Sequence, residues 1–216
     1  MKVVEIFESI DGEGIFAGFP ATFIRLYGCN LRCSYCDSEY SFSGNNYTEM
    51  AIEDIVQKAQ QYNHKHITLT GGEPLIHKDV EKLIRALAGR NFKVNIETNG
   101  AVDISSYLKK RNVLFTLDYK CPSSGMEDKM LAGNFLNVRK CDVVKFVVGS
   151  SDDLNTAEKI IKEYNLNENC NVFLSPVFGK IEPVEIVDFI LKRHLEGVRV
   201  QLQLHKYIWD PNQRGV

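Results

Sequence analysis

Short apolar runs rich in β-branched residues alternate along this chain with stretches of helical periodicity. This alternation is typical of parallel βαβ units, because two parallel strands need a helical crossover between them. We therefore predict an α/β fold with seven strands, at Ala21–Tyr27, Ile67–Thr70, Phe92–Thr98, Val113–Asp118, Asp142–Val148, Asn171–Leu174 and Val198–Leu204.

The segments between the strands predict amphipathic helices, because their apolar residues recur at helical spacing. Two helices are expected to begin after the capping residues Thr48 and Asp79. Two more are expected over Leu154–Tyr164 and Val184–Leu195, the latter opened by Pro183 at its first position.

Length and strand count limit the architecture. The 216 residues contain no internal repeat, charge block or linker, so we expect one domain over residues 1–216. Seven strands in about 180 residues fall short of a closed eight-fold barrel, which needs about 250. An open or partial barrel fits better, and a doubly wound sheet is the alternative that periodicity alone leaves open. In both folds, ligands bind at the carboxyl ends of the strands.

The composition excludes several classes of protein. Apolar residues make up 44% of the chain, too many for a disordered protein, and the net charge of −2 does not indicate a nucleic-acid-binding domain. No apolar run approaches the roughly 18 residues of a membrane span. The N-terminus carries Glu5 and no apolar signal region, so we expect the protein in the cytoplasm.

Three of the six cysteines fall within eight residues, directly after the first predicted strand. Cys29, Cys33 and Cys36 form the pattern C-x3-C-x2-C in the segment Gly28–Ser38 (GCNLRCSYCDS). In a reducing compartment, such thiols are typically free or bound to metal rather than paired in disulfides. Three thiolates can hold three irons of a 4Fe–4S cluster and leave the fourth iron open for catalysis.

A structural zinc site is the alternative for these cysteines. Zinc needs four ligands, and no His or Cys nearby completes the set, since the closest histidine in the sequence is His64. We interpret the remaining cysteines as small buried residues; they are Cys121, Cys141 and Cys170.

Polar motifs follow the other predicted strands. In Thr70–Pro74 (TGGEP), the two glycines let a ligand approach the backbone, and Glu73 offers a carboxylate to an ammonium group. Further polar groups follow later strands, at Glu97–Gly100, Asp118–Lys120, Ser175–Phe178 and His205–Lys206. Their shared position indicates one ligand site at this edge of the sheet.

The cysteine pattern, with Tyr35 before its last cysteine, resembles the signature of radical S-adenosylmethionine (SAM) enzymes. The resemblance implies that the three cysteines hold a 4Fe–4S cluster, that SAM binds the open iron, and that its reductive cleavage yields a 5′-deoxyadenosyl radical. It also implies that Tyr35 lies beside the adenine and Glu73 beside the amino group of SAM. The implied SAM-binding residues are Tyr35, Cys36, Asp37, Gly72, Glu73, Asp118, Tyr119, Lys120, Ser175, Pro176, Val177 and Phe178.

Segments at both ends of the chain resemble a narrower family, the 7-carboxy-7-deazaguanine synthases. They are Phe7–Gly14 (FESIDGEG), Gly18–Ala21 (GFPA), Phe23–Leu26 (FIRL) and Leu204–Pro211 (LHKYIWDP). The resemblance implies a partial, modified (β/α)6-type barrel with parallel strands, a homodimer and a need for Mg²⁺. It implies conversion of a carboxypterin, 6-carboxy-5,6,7,8-tetrahydropterin, to 7-carboxy-7-deazaguanine with loss of ammonia, a step toward 7-deazapurines such as queuosine.

The resemblance also implies roles for individual residues. Arg25 would meet the substrate carboxylate, which a guanidinium grips with two bonds. Ser38 stands where the family commonly has Thr, and its hydroxyl oxygen suits the hard Mg²⁺ ion. The implied substrate-binding residues are Ile10, Asp11, Gly12, Arg25, Thr70 and, through a C-terminal carboxylate, Val216.

By the same resemblance, the reaction begins when hydrogen is removed from the ring carbon that bears the carboxylate. The ring then contracts, hydrogen is returned and ammonia leaves, so that SAM is regenerated. The implied partner is an electron donor such as flavodoxin or ferredoxin. The sequence identifies no general base.

Two other functions remain open at this point. One is a radical SAM activase that generates a glycyl radical in a partner protein, since such enzymes also carry C-x3-C-x2-C in a short chain. That function would not need the DGEG segment or the HKYIWDP tail. The other is an iron–sulfur or zinc protein that only binds a partner and cleaves no cofactor.

Overall fold

A β-sheet forms the centre of the fold in the computed structural model, which describes residues 1–211 and 213–216. Within those residues the sheet has nine strands: β1 (Lys2–Ile10), β2 (Pro20–Leu26), β3 (Thr48–Glu49), β4 (His66–Gly71), β5 (Lys93–Thr98), β6 (Val113–Tyr119), β7 (Val143–Val148), β8 (Asn171–Pro176) and β9 (Val198–Val200). The order across the sheet is β3-β1-β2-β4-β5-β6-β7-β8-β9.

The strands β2 and β4 to β9 run parallel and lie side by side in chain order. This confirms the predicted α/β class, and each of the seven predicted strands is present. In a doubly wound sheet, the chain order of the strands reverses at a switch point. These parallel strands instead follow chain order across the sheet without a reversal. A partial barrel therefore describes them better. The edge strands β3 and β9 are not paired with each other in the described residues, so the barrel is open.

Helices α1 to α6 lie between the strands, and α7 follows the last strand. Over the described residues they are α1 (Ile52–Gln61), α2 (Val80–Gly89), α3 (Ala132–Leu136), α4 (Ser151–Glu163), α5 (Leu166–Asn169), α6 (Pro183–Arg193) and α7 (His205–Ile208). As the helical spacing predicts, Leu83 and Leu87 of α2 are fully buried in the core. Pro183 is the first residue of α6, and reciprocal hydrogen bonds between Glu182 and Glu185 cap that end. None of the helices described is long and apolar enough to span a bilayer.

One of the two helix caps predicted from the sequence is wrong. Thr48 lies in β3, opposite Val3 of β1, because this two-residue strand pairs with the N-terminal strand before α1 begins. Asp79 is the N-cap residue of α2, as predicted, although its carboxylate forms an ion pair with Lys82 instead of bonding to the helix backbone. The sequence pattern also misses β1, which is antiparallel to β2 and needs no helical crossover.

Residues 11–19, which we call the N-terminal loop, join β1 to β2 and contact the segment that follows β9. The Gly14 N–H donates to Oε1 of Gln201 at 2.6 Å, and Nε2 of Gln201 donates to the Gly14 carbonyl at 3.0 Å. The Leu204 N–H donates to the Gly12 carbonyl at 3.1 Å. The loop therefore links the side of the sheet that holds β1 and β2 to the segment after β9.

Candidate active site

A cleft of about 780 Å³ opens at the carboxyl ends of the parallel strands, the edge where the sequence predicts ligand binding. Its walls come from β1, β2 and β4 to β7, from the loops after β1, β2 and β8, from the start of α7 and from the last residues of the chain. The predicted site residues that line it are Ile10, Gly12, Arg25, Cys29, Cys33, Tyr35, Cys36, Asp37, Ser38, Thr70, Gly72, Asp118, Lys120, Val177, Phe178 and Val216.

Other predicted site residues are buried and do not line this cleft; they are Asp11, Glu73, Tyr119, Ser175 and Pro176. One oxygen of Asp11 accepts a hydrogen bond from the Thr68 hydroxyl at 2.7 Å, and burial raises the pKa of Asp11 to about 7. The Tyr119 hydroxyl donates to Glu127 at 3.1 Å. For these five residues a role in ligand binding stays a prediction.

The segment Gly28–Ser38, which we call the cluster loop, brings the three cysteines to the cleft, where all three are partly buried. The Cys36 N–H donates to the Cys33 carbonyl at 3.2 Å. The Leu31 N–H donates to the Cys29 Sγ at 3.4 Å. Hydrogen bonds to cysteine sulfur tune the iron–sulfur clusters that such sulfurs hold, so the loop backbone is arranged for this chemistry.

The donor set of the cluster loop fits a 4Fe–4S cluster. Across the described chain, no three His, Cys, Asp or Glu side chains are gathered tightly enough to hold one metal ion. A 4Fe–4S cluster makes a different demand, because each cysteine binds a different iron atom. Three thiols spread around one cleft meet that demand.

Two glycines of the TGGEP motif let the end of β2 and the start of the cluster loop pack against the end of β4. A Cβ on Gly72 would overlap the Gly28 carbonyl oxygen and lie 2.6 Å from the Cys29 Cβ. A Cβ on Gly71, whose φ is +157°, would overlap the carbonyl oxygen of Leu26 in β2. The close approach predicted at these glycines therefore already occurs within the protein.

Glu73 of the same motif organises the end of β5. Its carboxylate is fully buried and accepts hydrogen bonds from the Leu75 N–H at 3.0 Å, the Thr98 hydroxyl at 3.0 Å and the Asn99 N–H at 2.7 Å. Burial raises the pKa of Glu73 to about 7, although these bonds favour the ionised form. The Asn99 side chain in turn donates to Asn30 of the cluster loop at 2.8 Å.

Arg25 lies in the β2 wall of the cleft, with 16% of its side chain exposed. Its Nε donates to Glu5 Oε1 at 2.7 Å, and the Tyr40 hydroxyl donates to the same oxygen at 3.0 Å. Burial opposes the charge, but Tyr40 and Glu5 raise the pKa of Arg25 further, so the guanidinium stays charged. Its two terminal nitrogens have no hydrogen-bond partner among the described residues. They are free to hold an anion.

The wall formed by β6 and β7 contains a group of paired charges. The sequence assigned roles to only two of these residues, Asp118 and Lys120. Lys145 Nζ contacts Oε2 of Glu13 and lies 3.2 Å from Oδ1 of Asp118, whose other oxygen binds Lys120 Nζ at 2.8 Å. Burial would raise the pKa of Asp118, but the two lysines lower it. Burial would lower the pKa of Lys145, but Asp118 and Glu13 raise it well above its ordinary value. Asp118, Lys120 and Lys145 are therefore ionised at neutral pH.

Glu97 faces the same charges from the end of β5 and also lines the cleft. Burial raises the pKa of Glu97, whereas the charge of Lys145 and the Thr70 hydroxyl lower it. The sequence marks Glu97 as a polar residue after a strand but assigns it no role. Lys145 was missed, although a lone charge inside the apolar run DVVKFVV is a usable signal, since burial of an unpaired charge is costly.

The end of the cluster loop contacts the C-terminal helix. Lys206 of α7 binds one Asp37 oxygen at 2.9 Å, and the Ser38 hydroxyl donates to the other at 3.1 Å. Burial acts in the opposite direction, but Lys206 and Ser38 lower the pKa of Asp37 to about 2. The Tyr35 hydroxyl reaches β7 and donates to the Val147 carbonyl at 3.2 Å. Asp37 and Ser38 thus present two oxygen groups at the cleft.

The remaining cysteines lie away from this loop. Cys121 and Cys170 are buried, as predicted. The prediction for Cys141 is wrong, because it lies in the turn before β7 and is exposed.

Comparisons with known proteins identify the class to which this fold belongs. Residues 23–120 match the Radical SAM superfamily. The fold is similar to the crystal structure of QueE from Escherichia coli, with a TM-score of 0.76 and 22% identity over 94% of this chain and 93% of that chain. It is also similar to Streptococcus suis SuiB bound to S-adenosylmethionine, with a TM-score of 0.57 and 15% identity over 82% of this chain and 48% of that chain. The fold and the cluster loop define a radical SAM enzyme.

Relatives named 7-carboxy-7-deazaguanine synthase are similar over the whole chain. The one from Clostridium acetobutylicum is 45% identical over 218 residues, which is 100% of this chain and 99% of its own. The one from Methanospirillum hungatei is 42% identical over 213 residues, which is 98% of this chain and 86% of its own. The chain therefore belongs to the 7-carboxy-7-deazaguanine synthase family. As a radical SAM enzyme, it uses a 4Fe–4S cluster and SAM, which the three cluster-loop thiols fit.

Proposed function

We propose that this chain is a carbon–nitrogen lyase that converts 6-carboxy-5,6,7,8-tetrahydropterin to 7-carboxy-7-deazaguanine and ammonia by a radical ring contraction. The observation that carries the proposal is that the cluster loop, Arg25, Glu13 and Glu97 line one cleft. Such a cleft joins the thiols needed for radical chemistry to groups of both charges. The carboxypterin has a carboxylate for Arg25 and several N–H groups for the two glutamates. Its product would feed the synthesis of 7-deazapurines such as queuosine.

One end of the cleft would hold the cofactors. Cys29, Cys33 and Cys36 would each ligate one iron, and the bound cluster and SAM would supply the 5′-deoxyadenosyl radical that takes a hydrogen atom from the substrate. Glu73, among the predicted SAM-binding residues, would act through the backbone that it supports, as would Tyr119, Ser175 and Pro176. The residues that would touch SAM directly all line the cleft; they are Tyr35, Cys36, Asp37, Gly72, Asp118, Lys120, Val177 and Phe178.

The other end would orient the substrate. The free terminal nitrogens of Arg25 would bind its carboxylate in two parallel hydrogen bonds. Glu13 and Glu97 would accept hydrogen bonds from ring N–H groups. Asp11, buried behind the wall, would support the N-terminal loop through Thr68. The rest of the wall around the substrate would be Ile10, Gly12, Thr70 and Val216.

The proposal includes Mg²⁺ at Ser38. Its hydroxyl lines the cleft next to the Asp37 carboxylate, and oxygen ligands suit this hard cation. Mg²⁺ there would neutralise charge on the substrate carboxylate during the rearrangement.

The proposal also includes two protein partners. One is a second copy of the chain, because α6 exposes Val184, Val187 and Leu191 on one face, and an exposed apolar stripe marks an interaction surface. The other is a one-electron donor to the cluster, such as flavodoxin or ferredoxin. One domain formed by residues 1–216 would carry the whole activity, in the cytoplasm.

An activase that acts on a partner protein is less supported, because the full-length relatives carry the synthase name. The test is anaerobic reconstitution with iron and sulfide, followed by incubation with SAM, Mg²⁺, a reductant and the carboxypterin. We expect 7-carboxy-7-deazaguanine and ammonia in equal amounts by mass spectrometry and ammonia assay. Protein that cleaves SAM but leaves the carboxypterin unchanged would reject this substrate.

A further inference from the structure

Lys145 lines the cleft, but the proposed function gives it no task. Only 7% of its side chain is exposed, and its strand β7 is otherwise apolar. A buried ammonium is costly unless it is paired and hydrogen-bonded. The partners that stabilise Lys145 therefore indicate what it does.

Those partners come from three separate elements of the fold. Glu13 of the N-terminal loop contacts Lys145 Nζ through Oε2, while its Oε1 is buried with no hydrogen-bond partner in residues 1–211 and 213–216. Asp118 of β6 lies 3.2 Å from Lys145 and is also neutralised by Lys120. Glu97 of β5 lines the same cleft; burial raises its pKa, and the charge of Lys145 lowers it. The Lys145 ammonium thus forms an ion pair with Glu13 and acts by its charge on Glu97; these are the two glutamates at the substrate end.

On the basis of the proposed function, we propose that Lys145 is a positioning residue that holds Glu13 in place and supplies the positive charge facing Glu97 in the cleft, so that both carboxylates accept hydrogen bonds from N–H groups of the substrate ring.

The charges that face Glu97 predict the direction in which each substitution shifts its titration. Loss of Lys145 leaves Glu97 near uncompensated carboxylates, which disfavours a second negative charge. Loss of the charge of Glu13 has the opposite effect, because Glu13 repels an ionised Glu97. The titratable and charged groups around Glu97 are Lys145 from β7, Asp118 from β6, Glu13 and Asp11 from the N-terminal loop, and Arg25 from β2.

The test compares Lys145→Met with Glu13→Gln in the anaerobically reconstituted protein. Glutamate labelled with ¹³C at the carboxyl carbon reports the titration of Glu97 by NMR, with the signal assigned through Glu97→Gln. We expect Lys145→Met to raise the Glu97 midpoint by about one to three pH units, the usual effect of losing a nearby opposite charge. We expect Glu13→Gln to lower it. General damage to the fold does not produce shifts of opposite sign.

The second readout is the pH profile of kcat/KM for the carboxypterin. Its acidic limb should move upward in Lys145→Met and downward in Glu13→Gln, while Lys145→Arg, which keeps the charge, leaves it near the parental position. The matched control is Lys162→Met, because 64% of the Lys162 side chain is exposed. That variant should change neither the Glu97 titration nor the profile.

The two proposals fail in different ways. A Glu97 midpoint that is unmoved in both variants, or moved in the same direction, overturns the role of Lys145, whatever the substrate. If Lys145→Met does not fold, Lys145→Gln removes the same charge but keeps a polar side chain, and it gives this result. A parent protein whose Glu97 titrates as expected but that does not turn over the carboxypterin overturns the proposed function instead.

Discussion

The two ends of the cleft are built in different ways. At the cluster end, one continuous segment, Gly28–Ser38, brings three thiols to the cleft, and Gly72 lets that segment pack closely. At the charged end, Lys145 and Glu13 meet although they lie 132 positions apart in the chain, and Glu97 comes from a third element. The first is a motif that the sequence shows directly, whereas the second exists only once the strands are in place. Variants at the two ends should therefore fail in different ways.

The largest effect is expected from breaking the cluster end. Cys33→Ala removes an iron ligand, so we expect loss of the cluster and of all SAM cleavage. The parent should contain about four iron and four sulfide per chain, measured on anaerobically prepared protein. The matched controls Cys121→Ala, Cys141→Ala and Cys170→Ala should keep the cluster. Stoichiometric zinc without iron in the parent would contradict the account.

Arg25→Ala should weaken substrate binding at the charged end and leave the cluster intact. Loss of a charge-assisted hydrogen bond costs roughly 1.5–3 kcal/mol, so carboxypterin binding should weaken by about 10- to 100-fold. Arg25→Lys should also bind the carboxypterin more weakly, because an ammonium does not form the two parallel hydrogen bonds that a guanidinium makes to a carboxylate. Calorimetry with SAM and Mg²⁺ present measures this, with Arg85→Ala on the exposed face of α2 as control. If Arg25→Ala binds the carboxypterin with parental affinity, Arg25 does not contact the substrate and only forms the ion pair with Glu5.

Ser38 lies where the two ends meet and tests the proposed metal. Ser38→Ala should lower turnover by about tenfold or more, because an oxygen ligand is lost, while cluster content and SAM cleavage without substrate stay near parental values. Ser38→Thr should retain activity. The control is Ser34→Ala, since Ser34 belongs to the same loop but does not line the cleft. An unchanged Mg²⁺ dependence in Ser38→Ala would place the metal elsewhere.

The smallest effect concerns the packing of the cluster loop. Gly72→Ala should destabilise the protein by about 1–3 kcal/mol, because the added Cβ has no room beside Gly28 and Cys29. Gly89→Ala is the matched control: apart from its neighbours and its own helix backbone, no atom lies within 4 Å of its added Cβ, and a helix gains about 0.5–1 kcal/mol from this change. Thermal unfolding of both variants under anaerobic conditions measures the difference. Equal stability would show that the close approach at Gly72 can relax.

The comparison also shows what the sequence predicts and what it does not. The parallel strands and the cysteine loop are local patterns, and the structure contains both. The TGGEP motif predicts the position of Glu73 but not the direction of its side chain. Glu73 lies at the predicted edge of the sheet, but its carboxylate is buried and bonded to Thr98 and Asn99. Lys145 depends on contacts made by the topology, so its partners are invisible in a linear pattern.

The central claim is that one cleft couples radical formation at the cluster end to ring contraction at the charged end. The most direct measurement is the amount of 5′-deoxyadenosine released per molecule of 7-carboxy-7-deazaguanine formed by the reconstituted parent protein. The account predicts a ratio far below one, because the hydrogen is returned and SAM is regenerated. It also predicts a higher ratio in Arg25→Ala, whose cluster end is intact but whose substrate is held poorly. A parental ratio of one or more would contradict the claim.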